Sequence, residues 1–163
     1  MSQTELFEEA KPPQPDPSSK VELWTDGACS VNPGPGGWAA ILVHSSGASK
    51  ELQGGEAHTT NNRMELMAVI GGLEALRKGC LVLVNTDSAY VLNAFEEGWI
   101  EGWRKRGWKT KAKKPVANQE LWERLYSLVQ QHHVSWNKVK GHSGVEYNER
   151  ADQLAVAACD MHR

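Results

Sequence analysis

Four acids stand where a carboxylate can do chemistry. Asp26 follows the apolar run Val21 to Trp24 and opens a stretch rich in glycine and proline, Gly27 to Gly37. Glu65 follows Asn61-Asn62-Arg63-Met64 at the start of a helical pattern, and Asp87 sits in Thr86-Asp87-Ser88 between an apolar run and another helical pattern. Asp152 lies inside the last helical stretch, beyond Lys140-Gly141-His142-Ser143-Gly144. A strand that ends in a carboxylate and turns tightly can hold an ion or a phosphate at its tip. Singly, each acid has an ordinary reading. Asp-Gly is a common hairpin turn, Asp87 before Ser88 is a helix cap, and Glu65 and Asp152 are solvated acids.

Length and composition bound the frame in which these acids must meet. A chain of 163 residues has room for one domain with a full core, and 40% hydrophobic with 23% charged residues is ordinary for a globular protein. No apolar stretch reaches the length of a membrane span, and the start lacks the basic-then-apolar pattern of a secretory signal. Three widely spaced cysteines, Cys29, Cys80 and Cys159, argue against a disulfide framework and a zinc site and fit a reducing cytoplasm. The net charge of −2 hides an uneven distribution: between Glu101 and Glu120 lie seven Lys or Arg and no acid.

The elements follow from periodicity. Residues 1–19 read as a flexible leader, with Glu5, Glu8 and Glu9 ahead of a proline cluster from Pro12 to Pro17, and with Leu6 and Phe7 as its apolar pair. Strands are expected at Val21–Ala28, Trp38–His44 and Ser49–Gln53, an antiparallel meander ended by Gly54-Gly55. From Thr60 to Arg77 the period becomes helical through Leu66, Val69, Ile70, Leu73 and Leu76, despite Gly71-Gly72, for which only close packing on a sheet offers a reason. Leu81–Val84 has the pattern of a strand covered on both faces. Helices are expected at Asp87–Phe95, Trp99–Trp108 and Asn118–Gln131, then a strand at Val134–Val139. A last helix through Ala158 follows, with Ser143 and Glu146 spaced as a capping box. The order implies an α/β (mixed α+β) fold: a five-stranded mixed sheet, three antiparallel strands first, with helices on its faces.

Read together, the motifs resemble type 1 ribonuclease H. The resemblance runs from about residue 20 to 158 and rests on Thr25-Asp26-Gly27, Asn32-Pro33-Gly34-Pro35-Gly36-Gly37, Thr60-Asn61-Asn62-Arg63-Met64-Glu65-Leu66, Thr86-Asp87-Ser88, Gly107-Trp108-Lys109, Val139-Lys140-Gly141-His142 and Asn148-Glu149-Arg150-Ala151-Asp152. It implies a ribonuclease H-like fold in a catalytic domain over 20–160. It also implies a stand-alone form without a hybrid-binding domain, and an endonuclease that hydrolyses the RNA strand of RNA/DNA hybrids to 5′-phosphate and 3′-hydroxyl ends. Asp26, Glu65, Asp87 and Asp152 would be catalytic and hold two Mg²⁺ ions, with Mn²⁺ as the substitute, and His142 would assist as a loop histidine. Carboxylates gathered in one cleft repel one another unless divalent cations neutralise them, and oxygen-only ligands select hard ions. Two such ions about 4 Å apart can clamp both oxygens of an in-line displacement at phosphorus.

The same resemblance distributes the grip on the hybrid. Asn32, Asn61 and Asn62, with Cys29 beside them, match the readers of the minor groove, where the 2′-hydroxyl is displayed, and Thr60 and Asn118 match a pocket for a DNA phosphate. Each is also a residue type that turns and caps favour. The basic segment with Trp99, Trp103, Arg104, Lys105, Arg106, Trp108 and Lys109, extended by Lys113 and Lys114, matches a protrusion that holds the DNA strand through its phosphates. Its tryptophans either pack the helix down or touch the nucleic acid. One departure stands out: Ala89 occupies the place where the family commonly has a Gln that reaches a base edge. The alternatives are a catalytically impaired hybrid-binding module, another acidic-centre nuclease of the same fold such as a transposase, integrase or junction resolvase, and a fragment of a polymerase. Retention of all four acids and His142 speaks against the first, and the Asn-Asn-Arg-Met-Glu start with the basic Trp segment against the second. Met1 with its own leader speaks against the third. A cytoplasmic monomer with no membrane contact is expected.

Overall fold

The structure, a computed structural model, describes residues 19–77, 79–140 and 146–163. The leader apart from Ser19, the loop carrying His142 and the Ser143 side of the expected capping box lie outside these residues. Five strands, β1 (Lys20–Cys29), β2 (Gly34–His44), β3 (Ser49–Thr59), β4 (Leu81–Thr86) and β5 (His133–Lys138), form one sheet in the order β3-β2-β1-β4-β5. β1, β2 and β3 pair antiparallel, and β1–β4 and β4–β5 pair parallel. Five helices complete the described residues: α1 (Asn61–Glu74), α2 (Ala89–Glu96), α3 (Trp99–Lys105), α4 (Gln119–Gln131) and α5 (Glu146–Met161).

Alternation along β1 sets the two faces. Val21, Leu23 and Thr25 are buried on the side of α1, and Trp24 and Asp26 point to the side of α5. α1 is buried around most of its girth, through Met64, Leu66, Ala68, Val69, Ile70 and Leu73, because it lies between the sheet and α4. Gly71 and Gly72 are explained by that position. A Cβ on Gly71 would stand 2.5 Å from the Trp38 ring, and one on Gly72 would collide with the Leu23 side chain. Alanine at either place would force the helix off the sheet. Fully buried Trp122 closes the core from α4, with Phe95 and Tyr90 against its ring.

Several expected boundaries move. β3 runs on to Thr59 instead of stopping at Gly54-Gly55. Those glycines pair with Trp38 and Gly37, and Gly54 has no room for a Cβ beside the Trp38 indole. β2 begins at Gly34, four residues earlier than its apolar run, through an irregular register opposite Thr59 and Glu56. α1 stops at Glu74 and α3 at Lys105, where Gly107 and Trp108 both take left-handed backbone, φ 70° and 64°, and turn the chain back. β4 is not covered evenly. Val82 and Val84 are buried, but Leu81 and Leu83 are half-buried and line a hollow of about 600 Å³ with Val43 and Lys20, at the end of the sheet away from Asp26.

Candidate active site

The parallel pairing of β1 with β4 places two of the acids side by side. Trp24 is in register with Asn85, so two residues further on Asp26 and Asp87 leave the same end of adjacent strands. This is the carboxyl end of the parallel strands, beside the point where β1 changes from a parallel to an antiparallel neighbour, a place where open α/β sheets collect ligands. Glu65 arrives from the first turns of α1. Its approach depends on Gly27, where a Cβ would sit 2.7 Å from the Glu65 backbone nitrogen. Asp152 arrives from α5, whose buried side carries Asn148, Ala151, Ala155 and Ala158 at helical spacing.

All four acids line one cleft of about 270 Å³, with Gly27, Asn61, Asn148 and Glu149 as its other walls. No basic side chain is among these described residues, so five carboxylates face one another across a small space. Burial pushes Asp26 up from 3.8 to about 8, helped by the charge of Asp87 and a hydrogen bond to Asp152, against the pull of the Gly27 amide. That amide donates to Asp26 Oδ1 at 2.9 Å. Burial also raises Glu65; the Ser88 hydroxyl opposes the rise by donating to Glu65 Oε2 at 2.5 Å, and the charge of Asp87 adds to it.

This donor set fits hard divalent cations. Among the described residues no three of these side chains already close on one point as a cage. Mg²⁺ needs no such cage, because it keeps several of its waters and takes one or two carboxylates together with substrate phosphates.

Next to the cleft, the start of α1 joins the loop after β1. Thr60 caps α1 by accepting from the Arg63 amide at 3.2 Å, and the Asn61 amide donates to Asn32 Oδ1 at 3.3 Å. Asn62 is exposed. The half-buried Cys29 thiol donates to the Val31 carbonyl at 2.9 Å. Asn118 begins α4 in left-handed backbone, φ 60°, with its amide 3.5 Å from the Tyr90 hydroxyl. Arg63, in the first turn of α1, pairs with Glu56 of β3 at 2.9 Å and reaches Glu120 at the start of α4 at 2.6 Å.

The tryptophans of the basic segment pack the segment down. Trp99, Trp103 and Trp108 follow one another at 6.3 and 6.4 Å, and Trp103 rests 5.3 Å from core Trp122. Beyond Trp108 the chain makes a short excursion closed by a bridge between Lys109 and Pro115. Lys109, Lys111, Lys113 and Lys114 are exposed on it, and Lys105 is exposed at the end of α3. Two arginines are turned back on the protein: Arg104 donates to the Tyr126 hydroxyl at 2.8 Å, and Arg106 to the Lys109 carbonyl at 3.0 Å. The motifs did not signal Ser88 as a partner of Glu65, Tyr90 beneath Asn118, or Asn148 and Glu149 as cleft walls. The cap expected at Asp87 falls instead on Ser88, whose second partner lies 23 residues away in sequence.

This chain is similar to known proteins. The RNase H family profile matches residues 18–160. A Ribonuclease H of Pseudomonas fluorescens Pf-5 is 57% identical over 146 residues, 90% of this chain and 96% of that protein. One of Phenylobacterium zucineum is 61% identical over 136 residues, 83% of this chain and 88% of that protein. Among solved structures, LC9-RNase H1, described as a type 1 RNase H with the type 2 active-site motif, superposes with a TM-score of 0.78 at 32% identity. The match covers 91% of this chain and 75% of that one.

Proposed function

The chain belongs to the ribonuclease H family, metal-dependent nucleases that cut the RNA strand of RNA/DNA hybrids, and we propose that it does so with Asp26, Glu65, Asp87 and Asp152. One observation carries the assignment: four acids from four separate elements line one cleft that contains no basic side chain among its described residues. Asp26, between Asp87 and Asp152 in its interactions, is suited to serve both of two Mg²⁺ ions. Glu65 and Asp87 would hold one of them and Asp152 the other, and Mn²⁺ would substitute. When bound, such ions offset the charge of the carboxylates and the scissile phosphate and acidify water enough to supply a nucleophile at neutral pH.

The protein's own share is placement. Asn61 and Asn62 at the start of α1, with Asn32 and Cys29 in the loop beside it, would meet the minor groove and its 2′-hydroxyls. Thr60 and Asn118 would take a phosphate of the DNA strand, steadied by Arg63 across the two helix starts. The exposed lysines beyond α3 would hold the DNA strand further out, with Trp99, Trp103 and Trp108 as their footing. His142 would assist proton transfer or product departure. In this reading residues 20–160 are the catalytic domain, residues 1–19 a leader, and the enzyme a cytoplasmic monomer. The three cysteines are free, and no helix among the described residues is long and apolar enough to cross a membrane.

The test is cleavage of end-labelled RNA/DNA hybrid with and without Mg²⁺, beside matched double-stranded RNA and double-stranded DNA. The expected result is metal-dependent cutting of only the RNA strand of the hybrid. Tight binding without cutting in both Mg²⁺ and Mn²⁺ would make the protein a hybrid-binding module instead.

A further inference from the structure

Ser88 carries more hydrogen bonds than a helix cap requires. A serine hydroxyl has one donor and two acceptor sites. At the start of α2 one acceptor site takes the Val91 amide at 3.2 Å, which completes the cap. The donor is then free to act elsewhere, and it points 2.5 Å from Glu65 Oε2. Ser88 is 4% exposed and its own amide is tied to Thr86 Oγ1 at 3.0 Å, so the hydroxyl cannot swing away to water. The bond crosses from the end of β4 to the start of α1, joining the element that carries Asp87 to the element that carries Glu65.

We infer that Ser88 is a positioning residue for cation binding: its hydroxyl fixes one Glu65 oxygen and leaves the other to face the cleft. The inference rests on the reading of Glu65 as an ion ligand. It extends that reading to a residue whose capping role alone would explain its presence. A carboxylate on a flexible side chain otherwise samples several rotamers, and each must be given up when an ion binds. A hydrogen bond that selects one of them beforehand strengthens binding without touching the ion, and losing such a partner commonly costs ten- to a hundredfold in metal affinity.

Substitutions separate the cap from the positioning. Glycine is nearly as good an N-cap as serine but has no donor, whereas threonine keeps both functions. Mg²⁺ binding to the whole chain, without nucleic acid, is measured by calorimetry for wild type, Ser88→Gly, Ser88→Thr and Glu65→Gln, with a thermal melt of each metal-free protein. Ser88→Gly is expected to bind Mg²⁺ roughly tenfold more weakly, with Ser88→Thr restored to wild-type affinity. Should glycine loosen the helix start in the melt, Ser88→Ala, which lacks both the cap and the donor, is the control: an affinity equal to that of glycine assigns the loss to the donor, and a further loss from glycine to alanine assigns it to the cap and overturns the inference. Wild-type affinity in the folded glycine or alanine variant, alongside a loss in Glu65→Gln, would overturn the role of Ser88 and leave the site intact. Wild-type affinity in Glu65→Gln would instead overturn the reading of Glu65 on which the inference rests.

Discussion

Replacing Asp26 by asparagine should abolish hydrolysis and, in the absence of metal, make the protein more stable. Asp26 titrates near 3.8 in an unfolded chain and is pushed to about 8 in the fold, first by burial, then by Asp87. Below about pH 4 both states carry the proton, and the residue costs nothing. Between those two values the unfolded state releases a proton that the folded state keeps, so stability falls as pH rises. At pH 7 the gap of roughly 3 pKa units above 3.8 corresponds to about 4 kcal/mol, at about 1.4 kcal/mol per unit. That is an upper value, since relaxation and water entering the cleft reduce the penalty of a buried charge. Asparagine reproduces the protonated acid: its carbonyl oxygen accepts from the Gly27 amide, and its amide can donate to Asp152. For a chain of this length the gain is on the order of 10 °C in Tm. The assay is a set of melting curves at pH 5, 7 and 8.5 in EDTA and in Mg²⁺. The metal-free wild type should lose Tm across that range while Asp26→Asn stays nearly level. Mg²⁺ should raise the wild type far more than the variant, because it favours the ionised carboxylate. A folded Asp26→Asn with a metal-free Tm at or below that of wild type at pH 7 would refute the reasoning.

Other consequences are more local. Gly27→Ala places a methyl group against the Glu65 backbone and should cost about 1–3 kcal/mol in urea unfolding while lowering kcat, since Glu65 is pushed from the cleft. A wild-type rate at reduced stability would show that Glu65 tolerates the shift. Replacing Lys105, Lys109, Lys113 and Lys114 by Gln should raise KM at physiological salt and leave kcat unchanged. It should also flatten the log–log dependence of hybrid binding on salt, by about 0.9 for each phosphate that is no longer neutralised. An unchanged salt slope would remove these lysines from the interface. His142→Ala should slow steady-state turnover without abolishing it, whereas Asp26→Asn leaves none, and equal losses would put His142 on a par with the acids.

The acids were legible because each sits in a short motif with local punctuation: Asp26 before a Gly-Pro loop, Glu65 just inside a capped helix, Asp87 at a strand-to-helix junction. What the sequence leaves silent is contact across long separations. Gly71-Gly72 breaks a helical pattern without visible cause until Trp38 and Leu23 are seen against it. Gly54-Gly55 looks like a turn because glycine usually ends strands, yet here it makes room for the Trp38 indole inside a paired strand. Trp108 looks helical from its neighbours, but it takes left-handed backbone, which a preference scale assigns to glycine or asparagine. A cap at the Asp87-Ser88 junction was readable, though the structure gives it to Ser88 and not to Asp87; the bond from Ser88 to Glu65 was not, because local preference carries no information about a partner on another element.

The central claim is that Asp26, Glu65, Asp87 and Asp152 hold two divalent ions against the scissile phosphate. Its most direct test is anomalous diffraction from crystals of the protein grown with Mn²⁺ and a hybrid whose RNA strand carries an uncleavable linkage. The account predicts two anomalous peaks about 4 Å apart, both in contact with Asp26, flanked by Glu65 and Asp87 on one side and Asp152 on the other. Full occupancy of the cleft by hybrid with no peak at Asp26, in a preparation that cuts ordinary hybrid, would contradict it.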